Sequence, residues 1–271
     1  MENRNQIADL IFDKIVANKT DLKNQFAASK NEIGFFYLDD VLPSSLANTI
    51  FKKFPKIEET KKRDSLRELK YTAYQMDKYD ALLEEVIYAF QDKRIVDLIG
   101  EICEIEDISA DEKLYAGGLS LMAKNNFLNP HLDNSHDKDR NRWRVLNLLY
   151  YVTPNWELNH GGNLEIWPNG LDKKQTTIES KFNRLVVMAT HQKSWHSVSK
   201  VTVDAIRCCV SNYYFSENPL TNSDTFHVTT FRGRPSEKLK DFVLRVDNKI
   251  RQSLRVFFKK GVRENPHQYK K

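Results

Sequence analysis

In the segment NPHLDNSHDKDR, residues 129–140, His131 and Asp133 stand two positions apart at the end of an apolar run. Side chains two apart on an extended strand share a face, so an imidazole and a carboxylate can aim at one point without breaking the backbone. A second imidazole from elsewhere in the chain would complete three ligands on one face of an octahedron and leave three positions open for chemistry. His196, in QKSWHSV, follows a turn at the start of a strand-like run and is the candidate for that role. The bare His-x-Asp spacing is weak by itself, because a polar turn after a strand has the same letters.

Arg207 stands out for a different reason. It lies between Ala205, Ile206, Cys208 and Cys209, and a guanidinium cannot shed its proton to suit apolar surroundings. Either a distant Asp or Glu neutralises it or a ligand carboxylate does, gripped by two parallel hydrogen bonds. Alternation along AIRCCVSNYYF puts Arg207, Cys209, Ser211 and Tyr213 on one face, and along RVLNLLYYV it groups Asn147, Leu149 and Tyr151. Polar groups among aliphatics on such faces suit a lined cavity, although a core tyrosine with its hydroxyl at a rim would read the same way. His136 and His191 compete as ligands, but His136 sits in a charge-rich loop, read as solvated or substrate-facing, and His191 is separated from His196 by a turn.

These residues need a scaffold. Six short β-branched and aromatic runs between residues 113 and 216, from LYAGGLSLMA to AIRCCVSNYYF, are separated by turn-rich segments too short for crossover helices. The strands must therefore be mainly antiparallel, and among the closed all-β designs a jelly roll is the expected one. Around it the pattern is helical: residues 2–28 with Ile7, Leu10, Ile11 and Ile15 as one stripe, a helix after Pro43, and two more over 78–91 and 93–104. GFFYLDDVL reads as a strand and the charge-rich 57–66 as a loop. Residues 236–259 repeat Leu239, Phe242, Val243, Val246, Ile250, Leu254 and Phe257 at helical steps, which implies a C-terminal helix packed on the barrel or the first helices. The fold class is thus α+β, a double-stranded β-helix (jelly roll) core flanked by N-terminal helices and a C-terminal helix. The chain divides into a helical support region 1–111, a core 112–216 and a connector with helix 217–271, together one structural domain.

With 271 residues, 40% hydrophobic and 11% aromatic, the chain has ample material for a core and needs no disulfides. A net charge of +5 spread along the sequence is too small to argue for a nucleic-acid partner. Cys103, Cys208 and Cys209 cannot all pair, and a reducing, cytoplasmic setting is the simpler expectation. No apolar run approaches the length of a membrane span or a secretory signal.

HLDN, RVLNLLYYVTPNW, GGNLEIW, FNRLVVMATHQKSWHSV and AIRCCVSNYYF, in this order, resemble the prolyl-hydroxylase-like branch of the 2-oxoglutarate and Fe(II)-dependent oxygenases, over residues 112–216. The resemblance implies that His131, Asp133 and His196 hold Fe(II) and that Arg207 holds the distal carboxylate of 2-oxoglutarate with help from Tyr151. Tyr213 would lie beside the cosubstrate, with Leu149, Asn147 and Ser211 lining the pocket. It further implies O2 as cosubstrate, ascorbate as reductant, and hydroxylation of an unactivated C–H bond on a peptidyl proline, a free amino acid or a small biosynthetic intermediate. An acid at Asp133 fits hydroxylation, since halogenating relatives free that position for chloride. LSLMAKNNF lacks a tyrosine that some relatives place near the iron, and an arginine at 207 sets the chain apart from the lysine-using collagen-type enzymes. The charged segment Asn134–Arg144 reads as a solvated loop or a lid. A metal-containing jelly roll that senses or binds without turnover is the alternative of a different class; the sequence leaves the oligomeric state open.

Overall fold

The computed structural model describes residues 3–257 and 269. The first helix, α1 (Arg4–Ser29), begins at Asn3, whose side chain caps the Gln6 N–H while Gln6 bonds back to Asn3. Its buried stripe of Ile7, Ile11, Ile15, Leu22 and Phe26 packs on α3 (Ala81–Ala89) and α4 (Lys93–Cys103), with α2 (Ser44–Lys53) alongside α3. Residue 2, where the sequence reading began this helix, lies outside the described residues.

The sheet is antiparallel at every pairing among the described residues. One wall follows the order β1 (Phe35–Leu38), β10 (Arg184–Ala189), β7 (Trp143–Tyr151), β12 (Arg207–Ser216) and β5 (Gly118–Met122). The other follows β6 (Phe127–Leu132), β11 (His196–Val198), β8 (Leu164–Ile166) and β9 (Thr176–Ile178). Between them runs β3 (Glu68–Ala73), which pairs with β5 through Tyr71–Ala73 and with β6 through Glu68 and Leu69. Its hairpin partner is β2 (Lys61–Asp64), and β4 (Ile108–Ala110) and β13 (Thr230–Phe231) extend β12 and β6. This curled sheet with helices against its larger wall is the jelly roll the sequence implied.

Residues 57–66 are a correction to the sequence reading. They form a short 3-10 turn and then β2, because Lys61–Asp64 gains a backbone partner in β3 that no local pattern of charged residues could reveal. The last helix is a second one. Over α5 (Lys238–Phe257) the expected stripe is turned outward, with Leu239, Phe242, Val243, Val246, Ile250 and Leu254 all exposed. Leu244 and Asn248 face inward instead. The surface that α5 meets is largely polar: Arg67 donates three hydrogen bonds to Asp247, Asp241 takes Arg232, and Asn248 bonds both the N–H and the C=O of Phe231. Polar partners therefore choose the face. Residues 258 and 259 of the expected helix and the Phe257 side chain lie outside the described residues. No described helix is long and apolar enough to cross a membrane.

Candidate active site

β6 and β11 are neighbours, and their register sets His131 opposite His196 with ring centroids 4.1 Å apart. Asp133 follows β6 and its carboxylate reaches both rings, 3.6 Å from His131 Nε2 and 3.8 Å from His196 Nε2. One ligand atom from each of the three lies within 4.8 Å of the others. The opposite ring nitrogens are already engaged: His131 Nδ1 contacts the Asn129 carbonyl at 3.0 Å and His196 Nδ1 the Ser194 carbonyl at 2.9 Å. A carbonyl accepts only, so each Nδ1 carries a proton, and it is Nε2 that each ring turns to the common point.

All three side chains are nearly excluded from water. Burial and the facing His131 push His196 down to about 4, so it is neutral and ready to bind a cation near pH 7. Burial opposes ionisation of Asp133, but His131, Arg144 and His196 together hold its carboxyl well below the usual range. Its Oδ2 is buried with no hydrogen-bond partner. Two imidazole Nε2 atoms and a carboxylate oxygen left unsatisfied at their meeting point are the donor set of a divalent transition metal with open positions, and they fit Fe(II).

Arg207 opens β12 and is buried across the same cavity, which has a volume of about 260 Å³. Among the described residues no carboxylate pairs with it, and its Nε has no hydrogen-bond partner. Of the two explanations for a buried arginine, an internal acid is therefore set aside. Gly162, at φ +67, presses on the arginine stem; a Cβ there would lie 3.0 Å from Arg207 Cδ, and left-handed backbone excludes most side chains in any case. The same cavity is lined by this guanidinium and by the three residues of the metal point, and other unsatisfied atoms flank it.

Asn147, Leu149, Ser211 and Tyr213 line the cavity as alternation on β7 and β12 suggested, and the Asn147 Oδ1 is buried without a partner. Tyr151 sits behind Arg207 rather than on the cavity wall, its ring 5.2 Å from the guanidinium carbon and its buried hydroxyl without a hydrogen-bond partner. Burial raises its phenol above the ordinary value. Cys208 and Cys209 point to opposite clusters, and burial pushes their thiols up to about 12 and about 11. His191 stays off the metal point, its ring accepting from the Lys193 N–H.

His136 needs a correction. It is 1% exposed, not solvated, because residues 134–144 close into a tight hairpin through the His136–Trp143 bridge. Phe226 covers that hairpin, stacked 4.1 Å from Trp143 and edge-on to His136, and the His227 N–H bonds Ser135. Arg144, which the sequence places only at the end of a charged segment, belongs to the site. Arg144 is 5% exposed, 3.6 Å from Asp133, with its guanidinium 4.3 Å over the Tyr213 ring. Strict alternation would place it with Leu146, Leu148 and Tyr150 on the outer face. A register shift at Tyr214/Phe215 inserts an extra residue in β7 and turns Arg144 inward.

Residues 117–215 match the model of the 2OG-Fe(II) oxygenase superfamily. A prolyl-4-hydroxylase from Pseudomonas putida superposes with a TM-score of 0.54 at 17% identity, over 72% of this chain and 98% of that one. A Trichoplax adhaerens prolyl hydroxylase, solved with a hypoxia-inducible-factor peptide, gives 0.53 at 18% identity, over 78% and 96%. HygX from Streptomyces hygroscopicus, solved with nickel and 2-oxoglutarate, gives 0.50 at 11% identity, over 76% and 88%. The fold is therefore that of the prolyl-hydroxylase-like oxygenases, and the match to the superfamily model lies in its central segment. Residues 117–215 thus carry the 2OG-Fe(II) oxygenase pattern, and the His131–Asp133–His196 cluster lies within them.

Proposed function

We propose that His131, Asp133 and His196 hold the Fe(II), that Arg207 backed by Tyr151 takes the distal carboxylate of 2-oxoglutarate, and that the prime substrate is a free amino acid, a small biosynthetic intermediate or a peptidyl proline. One observation carries this reading: three metal-ligand atoms converge in a cavity also lined by a buried guanidinium with no carboxylate partner among the described residues. When bound, Fe(II) with 2-oxoglutarate supplies the chemistry that splits O2, one oxygen atom going to the substrate C–H bond and the other into succinate, with loss of carbon dioxide.

The chain's own part is positioning and shielding. Arg207 cannot deprotonate and so fixes a carboxylate at every physiological pH. The backbone carbonyls of Asn129 and Ser194 hold both rings by Nδ1, so that Nε2 faces the metal point. Arg144 compensates the Asp133 charge while leaving one oxygen free. Asn147 and Tyr213 border the space in which substrate would approach. Buried free thiols support a reducing, cytoplasmic setting. Pairing of β1 with β10 and of β13 with β6, and contacts of α3 with β12, support reading 1–111, 112–216 and 217–271 as parts of one domain.

The test is oxygen-dependent release of succinate from 2-oxoglutarate with Fe(II) and ascorbate, followed by a screen of amino acids and proline peptides for a product heavier by one oxygen atom. Turnover abolished in Asp133→Ala and Arg207→Ala is expected. Unchanged turnover in both would overturn the assignment.

A further inference from the structure

The β2–β3 hairpin closes the seam between the two walls, and one of its faces looks into the cavity. On β3, Glu68, Lys70 and Thr72 alternate along that face, and on β2 the register sets Arg63 directly opposite Lys70. Three of these side chains are charged, and their partners differ. Lys70 and Glu68 are committed to each other at 3.0 Å. Arg63 makes no ion pair among the described residues, and its Nη2 is buried with no hydrogen-bond partner.

A charge count, resting on the proposed function above, isolates this residue. Fe(II) is matched by Asp133 together with the keto-acid carboxylate of 2-oxoglutarate, and Arg207 by the distal carboxylate. Lys70 pairs directly with Glu68, whose carboxylate Arg63 feels only beyond ion-pair distance. Among the described residues that line the cavity, Arg63 is then the one charged side chain left with no ion-pair partner; Arg144, which shares Asp133 with the metal, is not part of that lining. A guanidinium stays ionised whatever its surroundings, and a buried N–H without an acceptor is costly, so the arrangement is complete only when an oxyanion enters from the substrate side. The planar fork fits a carboxylate through two parallel bonds.

We infer that Arg63 is the anion-binding residue of the prime-substrate subsite, and that the substrate brings a carboxylate to it. Within the substrate classes above this favours a free amino acid or another small carboxylic acid over an internal proline of a peptide without acidic residues nearby. The β2–β3 hairpin is then a specificity element as well as a seam.

The binding test uses the full chain loaded with Zn(II) and 2-oxoglutarate, so that the triad and Arg207 are occupied. Sulfate and acetate are titrated as oxyanion probes, with acetamide as the neutral control, and the Nε–Hε NMR signal of Arg63, identified by its absence from Arg63→Gln, is followed. A saturable shift with both anions and none with acetamide is expected. Sulfate affinity should fall at least about 10-fold in Arg63→Gln, with partial recovery in Arg63→Lys, a loss equal to about 1.4 kcal/mol. Equal sulfate binding by wild type and Arg63→Gln, or no shift of the signal, would overturn the inference. Failure of wild type to load Zn(II) or 2-oxoglutarate would instead count against the proposed function; the sulfate comparison then runs on the unloaded protein, where the contribution of Arg207 is common to both variants.

A second arm compares amino acids with their carboxamides, and blocked proline peptides with and without a glutamate, for stimulation of 2-oxoglutarate turnover. Stimulation confined to carboxylate-bearing members supports the inference, and which set responds tells a small acid from an acidic peptide. Equal stimulation by acids and amides contradicts it.

Discussion

Arg144 lies 3.6 Å from Asp133 in a place almost closed to water, its plane stacked on Tyr213. The pair sets the charge state of the site before any metal arrives. Replacing Arg144 by Met keeps the stem and removes the charge, leaving Asp133 uncompensated. The metal-free chain should lose about 3 kcal/mol of stability, in the range for half of a buried ion pair. The metal then becomes the main countercharge, so the rise in melting temperature on adding Zn(II) should be larger in Arg144→Met than in wild type. Thermal melts with and without Zn(II) check this; a smaller rise would show that Arg144 does not neutralise Asp133.

His196 gives the site a pH signature. Its imidazole is held down to about 4, whereas an unfolded histidine titrates near about 6.5. Between those values the unfolded chain binds the extra proton, so the His196 contribution to stability is lost as pH falls from about 6.5 toward 4 and is constant outside that window. Urea unfolding of chelated wild type and His196→Gln at several pH values isolates the effect. The stability difference, wild type minus variant, should fall through the window; a difference that is flat or grows would contradict the stated charge state.

Gly118 stands where β3 and β5 meet, at φ +135, and a Cβ there would lie 2.5 Å from the Ala73 carbonyl oxygen. Gly118→Ala should push β3 away and loosen the whole hairpin, at a cost of about 2–3 kcal/mol from strain and lost pairing. Faster amide exchange across residues 61–73, with α1 unaffected, is the expected result. Protection equal to wild type would show that the seam is not held there.

Asn248 acts at a distance. Its two bonds to the Phe231 backbone, at 3.0 and 2.5 Å, fix a ring that stacks on His131 with centroids 5.1 Å apart. Asn248→Ala should weaken metal affinity about 10-fold, as loss of a group that orients a ligand commonly does, with little change in secondary structure. Zn(II) competition titrations with a chromophoric chelator measure it. Unchanged affinity would mean that α5 plays no part in holding His131.

The residues named from the sequence are largely those that alternation and strand grammar can reach. His131 and Asp133 share a strand end, Asn147 and Leu149 share a face, and the odd positions of AIRCCVSNYYF share another, so period two alone groups them. Arg144 was hidden because a bulge reverses the phase in which its neighbours are read. Arg63 was hidden because β2 owes its existence to β3 and to nothing in its own composition. α5 shows the opposite failure: its apolar stripe is plain, yet the fold uses the other face, since Asp241, Asp247 and Asn248 find specific partners there. Periodicity tells which residues go together; it does not tell which partner waits across the gap.

The most direct measurement is equilibrium binding of Fe(II) under nitrogen to wild type and to Asp133→Ala. The account expects a single Fe(II) per wild-type chain and, with the carboxylate removed, affinity lower by at least about 100-fold, near the upper limit seen even for orienting groups. Equal binding by both proteins would contradict it.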